Sequence, residues 1–303
     1  MKGKETPEDN RAISTAVKIR GLLPSLSRAE QRVGKIIIDQ AATAAAMTIT
    51  ELAKRANTSE TTVIRFCRAI GVSGYPELRL RLAAEAGRVQ DDGGQEAVGS
   101  DISLSDDLGQ VVKTIAYADA RAVEDTAAQL DLDALGRVVA AIAEARRIDV
   151  YGVGASAFVA QDFQQKLHRI GLVAYAWSDI HLALTSAALL REGDVAVGIS
   201  HTGTTVDTIE AFAEAGRRGA TTVALTNFPK SPITRVADLV LTTAARETTF
   251  RSGAMASRLA QLTVVDCVFV GVAQRTYERT KPALEATRDA VRSRRTKSDR
   301  GRW

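Results

Sequence analysis

Two cysteines and three histidines in 303 residues leave little material for metal or redox chemistry. Cys67 and Cys267 have no metal-ligand spacing, and each falls on an apolar helical pattern where a buried structural thiol is expected. No metal site and no cofactor is expected. No run approaches the roughly 18 uninterrupted apolar residues of a membrane span. Residues 1–10 also lack the apolar centre of a secretory leader. A soluble, cytoplasmic protein without a membrane partner is the expectation. The chain is 45% apolar, which excludes disorder for most of it and permits a substantial core in two domains or one large one.

The net charge of +4 is distributed unevenly. Residues 11–90 carry 13 Lys/Arg against 6 Asp/Glu, residues 91–287 carry 18 against 25, and residues 288–303 carry 7 against 2. Basic ends flank an acidic body, so the amino-terminal part is expected to meet a polyanion and the middle is not. Residues 88–107 are rich in glycine and acids and read as a linker. Helical periodicity follows over 108–129 and 132–145. Apolar runs at 148–151, 172–176, 195–199, 222–226 and 239–241 then alternate with amphipathic stretches. That alternation predicts a doubly wound, mainly five-stranded parallel sheet with helices on both faces. A long helix over 252–279 closes the domain, and residues 281–303 form a basic tail.

Over residues 11–87 the pattern is all helical. Ser27-Arg-Ala-Glu30 and Thr48-Ile-Thr-Glu51 both fit the capping box, and each precedes an apolar stripe. One stripe is Val33, Ile36 and Ile37; the other is Ile49, Leu52, Ala53 and Ala56. After the short turn Ala56-Asn-Thr58, a third helix opens with Ser59 as N-cap and repeats the spacing at Val63, Phe66, Cys67 and Ile70. Gly71 ends it. Its opposite face presents Glu60, Thr61, Thr62, Arg65 and Arg68. Short polar groups near a helix start with cations behind them suit a helix read into the major groove of double-stranded DNA. Lys54 and Arg55 on the preceding helix are expected phosphate contacts, and Arg79 and Arg81 are weaker candidates.

Two strand-to-helix loops carry the other site. Gly152-Val-Gly-Ala-Ser156 offers a tight turn and helix-start amides to an anion. Gly152, Gly154 and Ala157 also satisfy a loose dinucleotide fingerprint, so a dehydrogenase stays open, although Asp179 lies too far on for the ribose acid. Ser200-His-Thr-Gly-Thr-Thr205 places four hydroxyls and a glycine at a helix start, which suits phosphate; helix capping would account for one or two of them. His181, His201, Asp179 and Glu247 are the possible bases if the domain catalyses an isomerisation, and surface exposure is the expected state of the histidines. Lys230, Ser231 and Thr234 fit a structural loop equally well.

Thr48-Ile-Thr-Glu-Leu-Ala, Thr58-Ser-Glu-Thr-Thr-Val-Ile-Arg-Phe-Cys-Arg-Ala-Ile-Gly71 and Gly74-Tyr-Pro-Glu-Leu78 together resemble the helix-turn-helix of the MurR/RpiR transcriptional regulators. The two loops resemble the signature of the sugar isomerase (SIS) domain that this family joins to it. The resemblance implies a regulator, a repressor by family habit, of carbohydrate metabolism genes, controlled by a sugar phosphate. It implies that Ser156, Ser200, Thr202 and Thr205, with the amides of His201 and Gly203, hold the phosphate, and that Glu247 and Ser252 face the sugar. Thr202 stands where the family commonly has serine, which keeps the hydroxyl. SIS domains also occur in isomerases, so that activity stays open beside sensing. A homodimer or homotetramer on operator DNA is expected, because palindromic half-sites match a protein twofold. The helices at 108–129 and 252–279 offer surfaces to build it.

Overall fold

The computed structural model describes residues 14–91, 102–247, 250–251 and 256–294. The chain divides into two compact units that part near residue 100. In the first unit the elements are α1 (Thr15–Leu22), a 3-10 turn (Leu23–Ser25), α2 (Arg28–Asp39), α3 (Ala41–Ala46), α4 (Ile49–Arg55), α5 (Glu60–Ala69) and α6 (Tyr75–Asp91). Both capping boxes are made, with Ser27 and Thr48 accepting from the Glu30 and Glu51 amides while those carboxylates accept from the cap amides. Val33, Ile37, Leu52, Val63, Phe66 and Ile70 are buried together in one apolar core. Gly71, at φ +73°, closes α5 by reversing the chain, so that the Val72 amide donates to the Cys67 carbonyl at 2.8 Å.

Helix α6 extends to Asp91, beyond the predicted linker start at residue 88. Its beginning is fixed by Glu77, which accepts from the Ser73 amide and hydroxyl and from Arg81. Leu78 and Leu82 seat it on the core. Helix α1 is joined to it where the Thr15 amide donates to Glu85 at 2.7 Å.

In the second unit α7 (Leu108–Gln129) and α8 (Leu132–Glu144) precede an alternating series. It runs β1 (Ile148–Tyr151), α9 (Ala155–Arg169), β2 (Ala174–Trp177), α10 (Ile180–Ala187), β3 (Val195–Ile199), α11 (Val206–Arg217), β4 (Thr221–Thr226), a 3-10 turn (Ile233–Val236) and β5 (Leu239–Thr242). Among the described residues the strands form one parallel sheet in the order β2-β1-β3-β4-β5. The chain steps from β1 outward to β2 and then back past β1 to β3. The crevice where strand order reverses therefore lies between the carboxyl ends of β1 and β3, where open parallel sheets bind ligands. Both singled-out loops start there.

Beneath that edge, Asp149 of β1 is fully buried and accepts from Arg147, Ser186 and Trp177. The Trp177 carbonyl in turn receives the Gly152 amide at 3.2 Å. A saturated buried carboxylate thus ties β1, β2 and α10 under the glycine loop.

The sheet is closed by α12 (Ser257–Arg275) and α13 (Tyr277–Ala290) where one helix ending at residue 279 was expected. The break at Thr276 starts a second helix that takes in residues assigned to the tail. Its inner stripe, Thr280, Ala283, Leu284 and Thr287, is half threonine, and Pro282 interrupts its amides. An apolar pattern does not register such a stripe. Cys267 is also displaced from expectation: it lies outside the buried Val264, Val265, Val268 and Val272 face of α12 and is exposed, whereas Cys67 is buried. Burial pushes the Cys67 thiol up to about 11, as an inert core group requires.

Candidate functional site

The amino-terminal site is built around the turn between α4 and α5. Asn57 takes φ +47°, and Thr58 donates to the Ala53 carbonyl at 2.9 Å, so α4 ends by the same reversal as α5. From α2, Arg32 donates to the carbonyls of Ala56 and Asn57 at 2.8 and 2.7 Å, bracing the turn from outside. Ser59 then caps α5 by accepting from the Thr62 amide. With this turn fixed, α5 buries Val63, Phe66, Cys67 and Ile70 and presents Thr61, Ile64, Arg65 and Arg68 outward.

The predicted reading residues separate on inspection of their partners. Thr61, Arg68 and Lys54 are exposed, and their side chains make no hydrogen bond or ion pair among the described residues. Arg65 is 63% exposed and 3.5 Å from Glu30, an ion pair weak enough for a phosphate or base edge to replace. Ser27 and Arg65 hold the Glu30 carboxyl below its ordinary range. Arg55 donates to Gln40 at 2.6 Å, and Glu60 accepts from Thr50 at 2.6 Å. Thr62 is half-buried with its hydroxyl 3.0 Å from Ser59. Arg79 and Arg81 are engaged with the Ala45 carbonyl and with Glu77. Sequence reading passed over Ile64, an exposed apolar side chain on the polar face. Its position three residues after Thr61 and outside the Val63 stripe was the available signal.

In the second unit, the β1 loop depends on Gly154, whose φ of +58° and ψ of −130° exclude side chains. Ser156 follows in the first turn of α9 and is buried. The β3 loop depends on Gly203, at φ +63°: a Cβ there would stand 2.1 Å from the Ser231 hydroxyl. Ser231 therefore packs under the loop as part of its form. Thr205 stands at the N-cap of α11 but makes no capping hydrogen bond; its hydroxyl lies 3.0 Å from Ser200 Oγ. Capping thus does not account for this hydroxyl. Thr202 and Thr204 form an exposed pair at 2.8 Å. The Gly203 amide turns inward onto Ser200, both carbonyl and hydroxyl at 3.1 Å, so it serves the loop rather than an external anion.

His201 is 8% exposed, contrary to the expected surface histidine. Its carbonyl accepts from Asn227 and Thr226, which draws the side chain beneath the loop against Phe228. Burial lowers the affinity of the ring for a proton, and nearby Glu247 partly opposes this. Its Nδ1 atom has no partner among the described residues. Glu247 gives one oxygen to the Ser257 amide at 2.8 Å and leaves Oε2 buried and unpartnered. Asn227 joins these pieces, donating to His201 and accepting from the Thr243 hydroxyl and Ala245 amide.

Ser252 lies outside the described residues. Asp179 and His181 are exposed, and Asp179 caps α10 through the Leu182 amide at 3.0 Å. Thr234 bonds back to the Ser231 carbonyl, a turn-forming role. Among the described residues no helix is long and apolar enough to cross a membrane, and no group of three metal-ligating side chains is assembled.

Comparison with known proteins matches both units. Residues 13–88 match the helix-turn-helix domain of the rpiR family, and residues 141–271 match the SIS domain. An uncharacterized HTH-type transcriptional regulator of Caldanaerobacter subterraneus is 39% identical over 275 residues, covering 90% of this chain and 95% of its own. The uncharacterized HTH-type transcriptional regulator YbbH of Bacillus subtilis is 33% identical, covering 92% and 97%. The Vibrio vulnificus NanR protein, solved in complex with ManNAc-6P, shares 29% identity and a TM-score of 0.59, covering 93% of this chain and all of its own.

Proposed function

This chain belongs to the rpiR family of helix-turn-helix transcriptional regulators, with a SIS domain behind the DNA-binding one, and we propose that it is a cytoplasmic sensor which couples operator binding to a sugar phosphate. The observation that carries the ligand half is the Ser200–Thr205 hydroxyl pair at the strand-order switch, made by a residue positioned to cap and not capping. In this reading Ser156, Ser200, Thr202 and Thr205 hold the phosphate. NanR, solved with such a ligand, supports the class of effector.

On the DNA side, Thr61, Arg65 and Arg68 read the major groove and Lys54 contacts a phosphate, while Ser59 and Thr62 set the start of the helix. Arg55 and Glu60 contribute through their neighbours. The active form is a homodimer or homotetramer; the exposed Leu108 and Val112 on one face of α7 favour that helix as its seam. Sensing needs no turnover, and the relatives are named as regulators. Steady conversion of glucose 6-phosphate to its ketose by the purified chain, followed by NMR, contradicts that part.

The reader assignment is tested by anisotropy on an operator selected from genomic fragments. Affinity should fall steeply as salt rises, and Arg68→Ala should cost about 1–3 kcal/mol of binding with the melting temperature unchanged. An Arg68→Ala protein with wild-type affinity overturns the assignment.

A further inference from the structure

The first two turns of α12 bury polar groups where a core helix would bury apolar ones. Strand β5 leaves the sheet at its carboxyl edge, and Glu247 then meets the Ser257 amide, so α12 begins at that edge. From there it runs back over the sheet, with Val264, Val265 and Val268 packed in one core with Val197, Val223 and Leu241. Ser257 and Gln261 continue this sheet-facing stripe at i, i+4 and i+7/8 spacing toward the end where the hydroxyl loop lies. Both are fully buried. The Ser257 hydroxyl and both polar atoms of Gln261 have no partner among the described residues, and neither has Glu247 Oε2 beside them. Asn227 ties the Glu247 segment to the loop itself.

An unpartnered buried amide or hydroxyl costs on the order of 1–3 kcal/mol, so three together mark groups kept for something other than packing. Their chemistry is specific. The amide donates and accepts, the hydroxyl does both, and the carboxylate accepts from hydroxyl or ammonium donors. Among the described residues no arginine or lysine stands among them, since Arg246 and Arg258 are exposed and Arg251 is paired with Asp119 at 2.5 Å, and burial keeps the neighbouring His201 ring reluctant to take a proton. A second anionic group on a ligand would meet Glu247 unscreened.

We propose that Ser257, Gln261 and Glu247 form a hydroxyl-reading wall beside the phosphate loop, and that it selects a neutral or amino sugar phosphate over a phosphorylated sugar acid. The wall rests on the phosphate reading of the Ser200 loop given above.

Calorimetric titration of the full-length chain with inorganic phosphate, glucosamine 6-phosphate and 6-phosphogluconate tests it. Glucosamine 6-phosphate should bind about tenfold or more tighter than phosphate, as one or more made hydrogen bonds would give, and 6-phosphogluconate no tighter than phosphate. Gln261→Leu should shrink the advantage of glucosamine 6-phosphate over phosphate roughly tenfold, while the unliganded protein melts at or above the wild-type temperature, because an unpaired buried amide is removed. Ser257→Ala should shrink the same ratio and serves if Gln261→Leu does not fold. An unchanged ratio in the folded variants, or tightest binding of 6-phosphogluconate, overturns the wall while leaving the phosphate loop standing. A wild-type chain that binds neither phosphate nor either sugar derivative overturns both.

Discussion

Burial keeps the His201 imidazole reluctant to take a proton, against the weaker pull of Glu247. The unfolded chain has no such restraint and protonates near the ordinary value of about 6.5. The unfolded state therefore binds more protons over the window from about 6.5 down to the lowered folded value, and stability falls as pH falls through it. Above that window the contribution of the neutral ring is complete. The melting temperature should drop between pH 7.5 and 5.5, and His201→Asn should flatten part of that slope; an identical slope in the variant contradicts the assignment. Only the position of His201 in a hydroxyl loop was legible in the sequence. Its burial was not, because it depends on Asn227 and Thr226, which come from the end of another strand.

At the scale of elements, local signals were read well and distant ones poorly. Ser27, Thr48 and Ser59 lie within four residues of the groups they satisfy, and the helices they start were visible at once. The strands alternated legibly because each is a short apolar run. Arg32 was silent, since its two acceptors lie 24 and 25 residues away. Yet that side chain joins α2 to the α4–α5 turn and with it the aim of the reading helix. Arg32→Ala should lower stability to urea by about 1–2 kcal/mol, the loss expected for charge-assisted bonds partly open to water. It should weaken operator binding further than the stability loss alone predicts. Wild-type stability in urea would show the brace to be incidental. Helix α13 escaped for a different reason: its inner stripe uses threonines, Thr280 meeting the Thr276 hydroxyl at the break and Thr287 bonding back to the Ala283 carbonyl, and hydrophobic periodicity does not count them.

At the scale of the whole molecule, the basic surplus of residues 11–90, 13 Lys/Arg against 6 Asp/Glu, lies in the first unit with the helix-turn-helix. The second unit carries the sheet and is close to neutral, with 25 Lys/Arg against 24 Asp/Glu. A near-neutral unit has little overall field, so the anion site proposed on it would draw phosphate by local amides and hydroxyls. That distinction keeps the two sites chemically separate on one chain, which a regulator requires. Coupling then demands that the effector bind the DNA-bound and free forms with different affinity. Gly203 and Ser200 at one proposed site and Arg68 at the other were named from residue types, spacing and resemblance. Of the groups proposed to choose the sugar, only Glu247 was named, from the family resemblance; Ser257 and Gln261 were not, because they join it only when α12 folds back on the sheet.

The most direct measurement is operator affinity of the full-length chain, by anisotropy, with and without saturating glucosamine 6-phosphate, for the wild type and for Ser200→Ala combined with Thr202→Ala. The wild type should change affinity by about 5- to 150-fold, the usual range of allosteric coupling. The double variant should bind operator and show no change. Wild-type affinity indifferent to every sugar phosphate, or an undiminished response in the double variant, would contradict the account.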